Sequence, residues 1–237
     1  MARKLLTIGF DADDTLWHNE RFFALTQERV AALLADYAER DHLDARLLEA
    51  ERRNLGHYGF GVKGFVLSMI ETAVEVTEGR VPGHVVGQIL EAGQKLLAHP
   101  LELLPHAREA VEAVADSHHL LLITKGDLLH QEQKLASSGL GDYFVAVEIV
   151  SEKDAGTYRR VFERYGTGAE QAVMAGNSMK SDILPALEAG CWSALIPYPL
   201  VWAHEAAEAP VGHERYVELG SISELPGWVD GLSRQAK

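Results

Sequence analysis

The sequence predicts an α/β fold, a parallel, doubly wound sheet with an inserted all-helical block. Three observations carry that expectation. From Leu104 onward, short apolar runs of strand character alternate with helical patterns. That alternation is the spacing of a parallel sheet with crossover helices. A further strand-like run, Lys4-Leu5-Leu6-Thr7-Ile8-Gly9, stands alone near the start. Between the two lie about 80 residues of helical periodicity with no convincing strand. The first strand therefore belongs to the sheet, and the helical block is inserted behind it.

Taken in order, the first strand runs into Phe10-Asp11-Ala12-Asp13-Asp14-Thr15-Leu16. Carboxylates at a strand end put charge on the carboxyl edge of a sheet, where open α/β folds bind ligands. Asp11 and Asp13 are two residues apart, so on a strand that is just ending both can face one pocket. Carboxylates that close repel, and a bound cation relieves the repulsion. The plain alternative is a surface turn with a helix cap, since Asp and Thr both cap well.

The block that follows reads as four helices. Arg21 to Glu39 carries Phe22, Leu25, Val30, Leu33, Leu34 and Tyr37 at helical spacing. Leu43 to Leu55, Val62 to Val76 and Pro82 to Leu97 follow, with Pro82 suited to a helix start. A glycine-rich loop, Gly56 to Gly64, separates the second from the third.

Past Leu104 the expected order is helix Pro105 to Ala115, strand Leu120 to Ile123, then helix Leu128 to Ser138. Strand Tyr143 to Val150 and helix Tyr158 to Tyr165 come next. Strand Ala172 to Ala175, helix Ile183 to Ala189 stopped by Gly190, and strand Cys191 to Ile196 complete the core. Arg215 to Leu219 reads as one more strand and Ile222 to Leu232 as a closing helix.

Composition narrows the function. Of 237 residues, 47% are hydrophobic and 24% charged, ordinary for a soluble globular protein. The formal net charge of −13 argues against wrapping nucleic acid or lying on an anionic membrane. It does not oppose a small anionic ligand, because one metal and one lysine invert the local field. Cys191 is the only cysteine, so no internal disulfide forms and a reducing compartment fits. Met1 to Leu6 is basic without a long apolar run or cleavage site, and no stretch reaches the roughly 20 apolar residues of a membrane span. The expectation is a cytoplasmic protein.

Four strand ends in order now carry polar residues: Asp11 and Asp13, Thr124, Lys153, and Asn177 to Asp182. This order resembles the haloacid dehalogenase superfamily, which is mostly phosphatases. Asp11-Ala12-Asp13-Asp14-Thr15 is similar to its first motif, Asp-x-Asp-x-Thr, and Thr124 after a hydrophobic strand to its second. Lys153 is similar to the third, and Gly176-Asn177-Ser178-Met179-Lys180-Ser181-Asp182 to the fourth. The resemblance implies a Rossmann-like core over residues 1–16 and 100–237 with a helical cap over 17–99. It further implies a Mg²⁺-dependent phosphatase acting on a small phosphorylated metabolite.

By that resemblance Asp11 is the nucleophile and forms an aspartyl-phosphate. Asp13 protonates the leaving oxygen and then takes a proton from the attacking water. Mg²⁺ is held by Asp11, the backbone carbonyl of Asp13 and Asp182, all hard oxygens. Thr124, with Lys125 and Gly126 beside it, holds the phosphate, and Lys153 balances negative charge. Thr15 and Asn177 support the carboxylates. Asn177 stands where the family often has an acid; its amide can reach a cation or a metal-bound water but brings no charge. Singly, Thr124 reads as a turn residue, Lys153 as part of a charged loop and Asp182 as a helix cap. Their joint order carries the inference.

Gly59-Phe60-Gly61-Val62-Lys63-Gly64 satisfies Gly-x-Gly-x-x-Gly but follows a helix rather than a strand, which argues against a dinucleotide site. It is either a flexible connection or similar to the cap loop that reaches over substrate, with Lys63 meeting it. The eleven histidines lack metal-ligand spacing, and His118-His119 reads as a solvated turn. A 2-haloacid dehalogenase shares the fold and nucleophile but needs neither Asp13 nor a metal. A phosphomutase keeps the whole apparatus and stays open. A phosphonate hydrolase needs a Schiff-base lysine, for which Lys63 and Lys95 are the candidates. A non-catalytic binding module is opposed by the intact carboxylates and lysine.

Overall fold

The computed structural model describes residues 6–235. Lys4-Leu5 of the expected first strand and the leader reading of the first five residues lie outside them. The chain divides into two compact units. One comprises the residues up to Glu20, Leu101–Lys125 and those from Gln131 on; the other is Arg21–Pro100 with Gly126–His130.

The first unit is built on a six-stranded sheet: β1 (Thr7–Phe10), β2 (His119–Thr124), β3 (Ala146–Ile149), β4 (Ala172–Gly176), β5 (Trp192–Leu195) and β6 (Tyr216–Glu218). All pairings are parallel, in the order β3-β2-β1-β4-β5-β6. β1 lies between β2 and β4, with Gly9 beside Leu121 and Met174. Its carboxyl end therefore opens between the ends of two neighbours that also carry polar residues.

The second unit contains α1 (Glu20–Leu33), α2 (Arg40–Tyr58), α3 (Val62–Val76) and α4 (Gly83–Leu97). Phe22, Leu47, Phe65, Met69 and Ile89 share its buried core. α1 ends six residues short of the expected Glu39. The chain turns at Leu34, whose N–H bonds Ala31 at 3.1 Å, while the Leu34 side chain stays buried. A buried leucine inside the turn continues the apolar period and hides the break from the sequence. The expected loop from Gly56 to Gly64 shrinks to three residues, because α2 continues to Tyr58 and α3 begins at Val62. Gly59 (φ 70°) and Gly61 (φ 121°) supply the backbone angles that permit so short a reversal.

The remaining helices flank the sheet: α5 (Ala107–Ala115), α6 (Leu128–Ser138), α7 (Ala155–Tyr165), α8 (Leu184–Ala189) and α9 (Leu225–Gln235). Alternation along the strands sorts the core onto two faces. Ile8, Phe10, Leu120, Leu122, Val173 and Ala175 pack with α5 and α9 residues such as Val111 and Val229. Leu121, Ile123, Ala172 and Met174 pack with Tyr158 and Phe162 of α7 and Ala186 of α8. Gly9 belongs to this second face. A Cβ there would lie 2.9 Å from Phe162, 3.0 Å from Ile123 and 3.1 Å from Met174. The absent side chain lets the α7 aromatic ring lie against β1.

His118 corrects its expectation as a solvated residue: it is buried, and its Nδ1 accepts from the N–H of Leu6 at 3.2 Å. His119 is the exposed first residue of β2. The expected strand from Tyr143 narrows to Ala146–Ile149, because Gly141–Tyr143 coils into a 3₁₀ turn. Among the described residues no helix is long and apolar enough to cross a membrane.

Candidate active site

The loop after β1 folds tightly. Asp11 N–H still pairs with Ala175 of β4 at 2.9 Å. Leu16 N–H then returns to the Ala12 carbonyl at 2.8 Å, and Asp14 takes the left-handed conformation, φ 61°. The Asp14 carboxylate accepts from the N–H groups of Asn19 and Glu20 at the start of α1. That is the capping role the sequence allowed for this stretch, and it falls to Asp14 alone.

Asp11 and Asp13 separate toward different partners. Asp11 is buried, and its Oδ1 accepts from Lys153 Nζ. The same ammonium donates to Asp182 Oδ1 at 2.7 Å. All three side chains are buried, with Lys153 only 2% exposed. Lys153 is fixed because the next residue, Asp154, caps α7 by accepting from Thr157 N–H at 2.6 Å. Asp182 is fixed by a five-residue π-helical turn, Met179–Ile183, whose cap Ser178 donates its N–H back to Asp182 Oδ2 at 2.9 Å. Gly176 makes room, since a Cβ there would strike the Asp182 carboxylate. Thr15 Oγ1 donates to Asp11 Oδ2 at 3.2 Å. The Asn177 amide, with its nitrogen facing the acceptors, lies 3.1 Å from Asp11 Oδ2 and 3.0 Å from the Asp13 carbonyl.

Electrostatics divide accordingly. Burial pushes Asp11 up to about 7, helped by Asp182 and opposed by Lys153. Burial alone would lower Lys153, but Asp11 and Asp182 outweigh it and hold the ammonium above the ordinary lysine value.

Asp13 meets three donors that the sequence did not single out. Trp17 Nε1 donates to Oδ1 at 2.7 Å, Lys134 Nζ to Oδ1 at 2.5 Å, and Gln131 Nε2 to Oδ2 at 2.9 Å. Burial would raise Asp13, but the Lys134 charge and these hydrogen bonds hold it below the usual carboxylate range. Gln131 and Lys134 stand three apart on α6 and so share a face. That spacing was the one signal available in the sequence. Gln131 also donates to Thr124 Oγ1 at 2.9 Å, tying the end of β2 to the same cluster.

Lys125, expected at the phosphate, donates to Glu205 Oε1 at 2.8 Å and to Ser181 Oγ at 2.8 Å. Glu205 comes from the connection between β5 and β6 and was not foreseen. Burial would raise its carboxyl, but Lys125, Ser178 and Ser181 bring it down to about 2. Gly126 (φ 130°) follows Lys125 in the chain and groups with the helical unit. Lys63, within that unit, extends its exposed ammonium to Asp127 at 3.2 Å.

Asp11, Asp182 and the Asp13 carbonyl form a hard-oxygen donor set with two buried carboxylates, which suits Mg²⁺. Among the described residues no three His, Cys, Asp or Glu side chains gather as a metal cluster. The third oxygen here belongs to the backbone.

Comparison with known proteins agrees with this geometry. The family model of the haloacid dehalogenase-like hydrolases matches residues 5–190. A haloacid dehalogenase-like family hydrolase from Xanthomonas campestris is 42% identical, with a TM-score of 0.87 over 99% of this chain and 94% of that one. The glyceraldehyde 3-phosphate phosphatase of Methanocaldococcus jannaschii is 26% identical over 77% of this chain and 81% of the relative. The HAD-hydrolase YfnB of Bacillus subtilis, bound to magnesium, shares the fold at 17% identity and a TM-score of 0.67, over 96% of this chain and 99% of that one.

Proposed function

The chain belongs to the haloacid dehalogenase-like hydrolases, and from that premise we propose that it hydrolyses a small phosphorylated metabolite with Mg²⁺. The observation that carries the reading is the pair of carboxylates two residues apart with unlike partners. Asp11 shares the buried Lys153 with Asp182, while Asp13 sits among Trp17, Gln131 and Lys134. A dehalogenase has use for the first carboxylate and none for the second. The phosphatase named among the relatives supports the same choice.

In this reading Asp11 Oδ attacks phosphorus, the ester oxygen leaves, and an aspartyl-phosphate forms. Asp13 gives the leaving oxygen a proton and later takes one from the hydrolytic water, which restores both groups. The surroundings of Asp13 hold it ionised, the form the second step needs. For the first step Asp13 must first take up a proton from solvent, against the pull of Lys134, so that step runs most easily on a substrate whose leaving group needs little protonation. Lys153 keeps Asp11 from repelling the incoming anion. Thr124 and the N–H groups beyond it receive phosphoryl oxygens. Asp11, Asp182 and the Asp13 carbonyl would hold Mg²⁺, which when bound offsets charge on the phosphoryl oxygens.

The test is a screen of phosphorylated metabolites, glyceraldehyde 3-phosphate among them, for release of inorganic phosphate with and without Mg²⁺. Release that needs Mg²⁺ and stops on chelation is expected. Halide release from a 2-haloacid without any phosphatase activity would overturn the reading.

A further inference from the structure

The connection from β5 to β6, residues 196–215, is long for a parallel crossover and contains no helix among its described residues. It lies along the catalytic edge of the sheet and touches three of the functional loops. Tyr198 OH is 2.8 Å from Nδ1 of His18, in the stretch after Asp13. Lys180, in the π-helical turn, donates to the His204 carbonyl at 2.9 Å. Glu205 makes the central contacts. Its Oε1 pairs with Lys125 at 2.8 Å, and its Oε2 accepts from Ser178 Oγ at 2.5 Å and from Ser181 Oγ.

The Lys125 and Glu205 side chains are only 12% and 14% exposed, so the pair is little screened by water. Ser178 and Ser181 are the residues that shape the turn carrying Asp182, because Ser181 N–H bonds Ser178 Oγ at 2.9 Å. One carboxylate therefore joins the loop after β2 to the loop after β4. It also occupies the Lys125 ammonium, which is consequently not presented as an unpaired cation.

We propose that Glu205 is a positioning residue that braces the phosphate-binding loop after β2 against the Asp182 turn, acting through Lys125, Ser178 and Ser181. The proposal rests on the phosphatase reading of the same edge for its kinetic part only. It makes a specific claim about Lys125, that this lysine serves catalysis by being held rather than by gripping substrate. If Lys125 gripped the phosphoryl group, freeing it from Glu205 would tighten substrate binding.

The experiment compares Glu205→Ala, Lys125→Met and the double variant with the parent. Hydrogen exchange is followed at the amides of Ser181, Asp182 and Ile183. Steady-state kinetics use p-nitrophenyl phosphate with Mg²⁺. Each single variant is expected to speed exchange in that turn at least tenfold while β1 and β4 amides keep their protection. kcat is expected to fall at least tenfold with KM changed less than threefold. The double variant should be no worse than the poorer single one, since both remove the same brace. Glu205→Gln, which keeps an oxygen for the serines, should recover part of the loss. Unchanged exchange in the turn, losses that multiply, or a lower KM in Glu205→Ala would overturn the proposal. If the parent releases no phosphate from any ester, the exchange measurement still decides the brace, and the phosphatase reading alone falls.

Discussion

Replacing Lys153 with Met tests the arrangement on which the site depends. The ammonium is the shared partner of Asp11 and Asp182, and all three groups are buried. Methionine fills a similar volume and leaves two carboxylates facing one another without a cation. Breaking a buried pair by removing one partner costs about 3–5 kcal/mol. For a chain of this size each kcal/mol moves Tm by about 2–4 °C, so the expected drop is roughly 6–20 °C. The loss should depend on pH. Asp11 in the folded protein is raised from 3.8 to about 7, so between those values the folded state binds more protons than the unfolded one. Its contribution to stability therefore falls as pH rises through that window. Without Lys153 to pull it down, Asp11 moves further up, and the penalty grows toward alkaline pH. The assay is thermal unfolding by circular dichroism at pH 5 and pH 8, with chelator present. A variant within 2 °C of the parent at pH 8, or equally destabilised at both values, would show that Lys153 is not the cation that Asp11 and Asp182 share.

Other substitutions probe the remaining assignments. Asp11→Asn should abolish turnover while the circular dichroism spectrum is kept, because an amide of the same shape is a poor nucleophile; near-normal turnover would end the covalent mechanism. Asp13→Asn should slow hydrolysis of an alkyl phosphate by roughly 10²- to 10⁴-fold. A good leaving group such as p-nitrophenolate should suffer least in the first step, so equal losses on both esters would remove Asp13 from proton transfer. Lys63→Ala should lower kcat/KM for the physiological substrate and leave p-nitrophenyl phosphate little changed if the lysine meets the leaving group. Identical ratios for the two substrates would leave Lys63 to its ion pair with Asp127.

What the sequence made visible, and what it hid, follows from range. Asp11, Thr124, Lys153 and Asp182 each close a strand or open a helix, so hydrophobic runs pointed to them one by one. The alternation that produced the parallel sheet is a local property as well. Gln131 and Lys134 were hidden because a polar i, i+3 pair on α6 looks the same whether it faces water or a carboxylate. What decides is that Asp13, more than a hundred residues earlier, ends the central strand beside β2. Glu205 was harder still. It lies in a segment with no period, 80 residues from Lys125, and its meaning arises only when β5 and β4 are neighbours. Gly9 reads as an ordinary strand residue until the Phe162 ring is seen against it. The π-helical turn at Met179–Ile183 has no propensity signal. Its sequence promised a helix from Ile183, and the wider turn before it carries Asp182.

The charges at this edge explain why the carboxylates do not share one role. Asp13 is matched by Lys134 and Glu205 by Lys125, each a near-neutral pair. Asp11 and Asp182 must divide Lys153 between them. Among these ion-paired groups, once Asp11 is ionised, four carboxylates against three lysines leave one negative charge uncompensated, shared by Asp11 and Asp182. That is where a divalent cation gains most, and where a phosphate ester entering alone would be repelled. The two matched pairs keep the surplus from spreading to Asp13. A carboxylate two residues from Asp11 is then held by Lys134, Gln131 and Trp17, as the proposed proton transfer would require. The acidic balance of the whole chain, −13, is thus compatible with an anionic substrate, because the local field is set by one buried and two partly buried lysines, each paired with a carboxylate, Lys153 alone serving two.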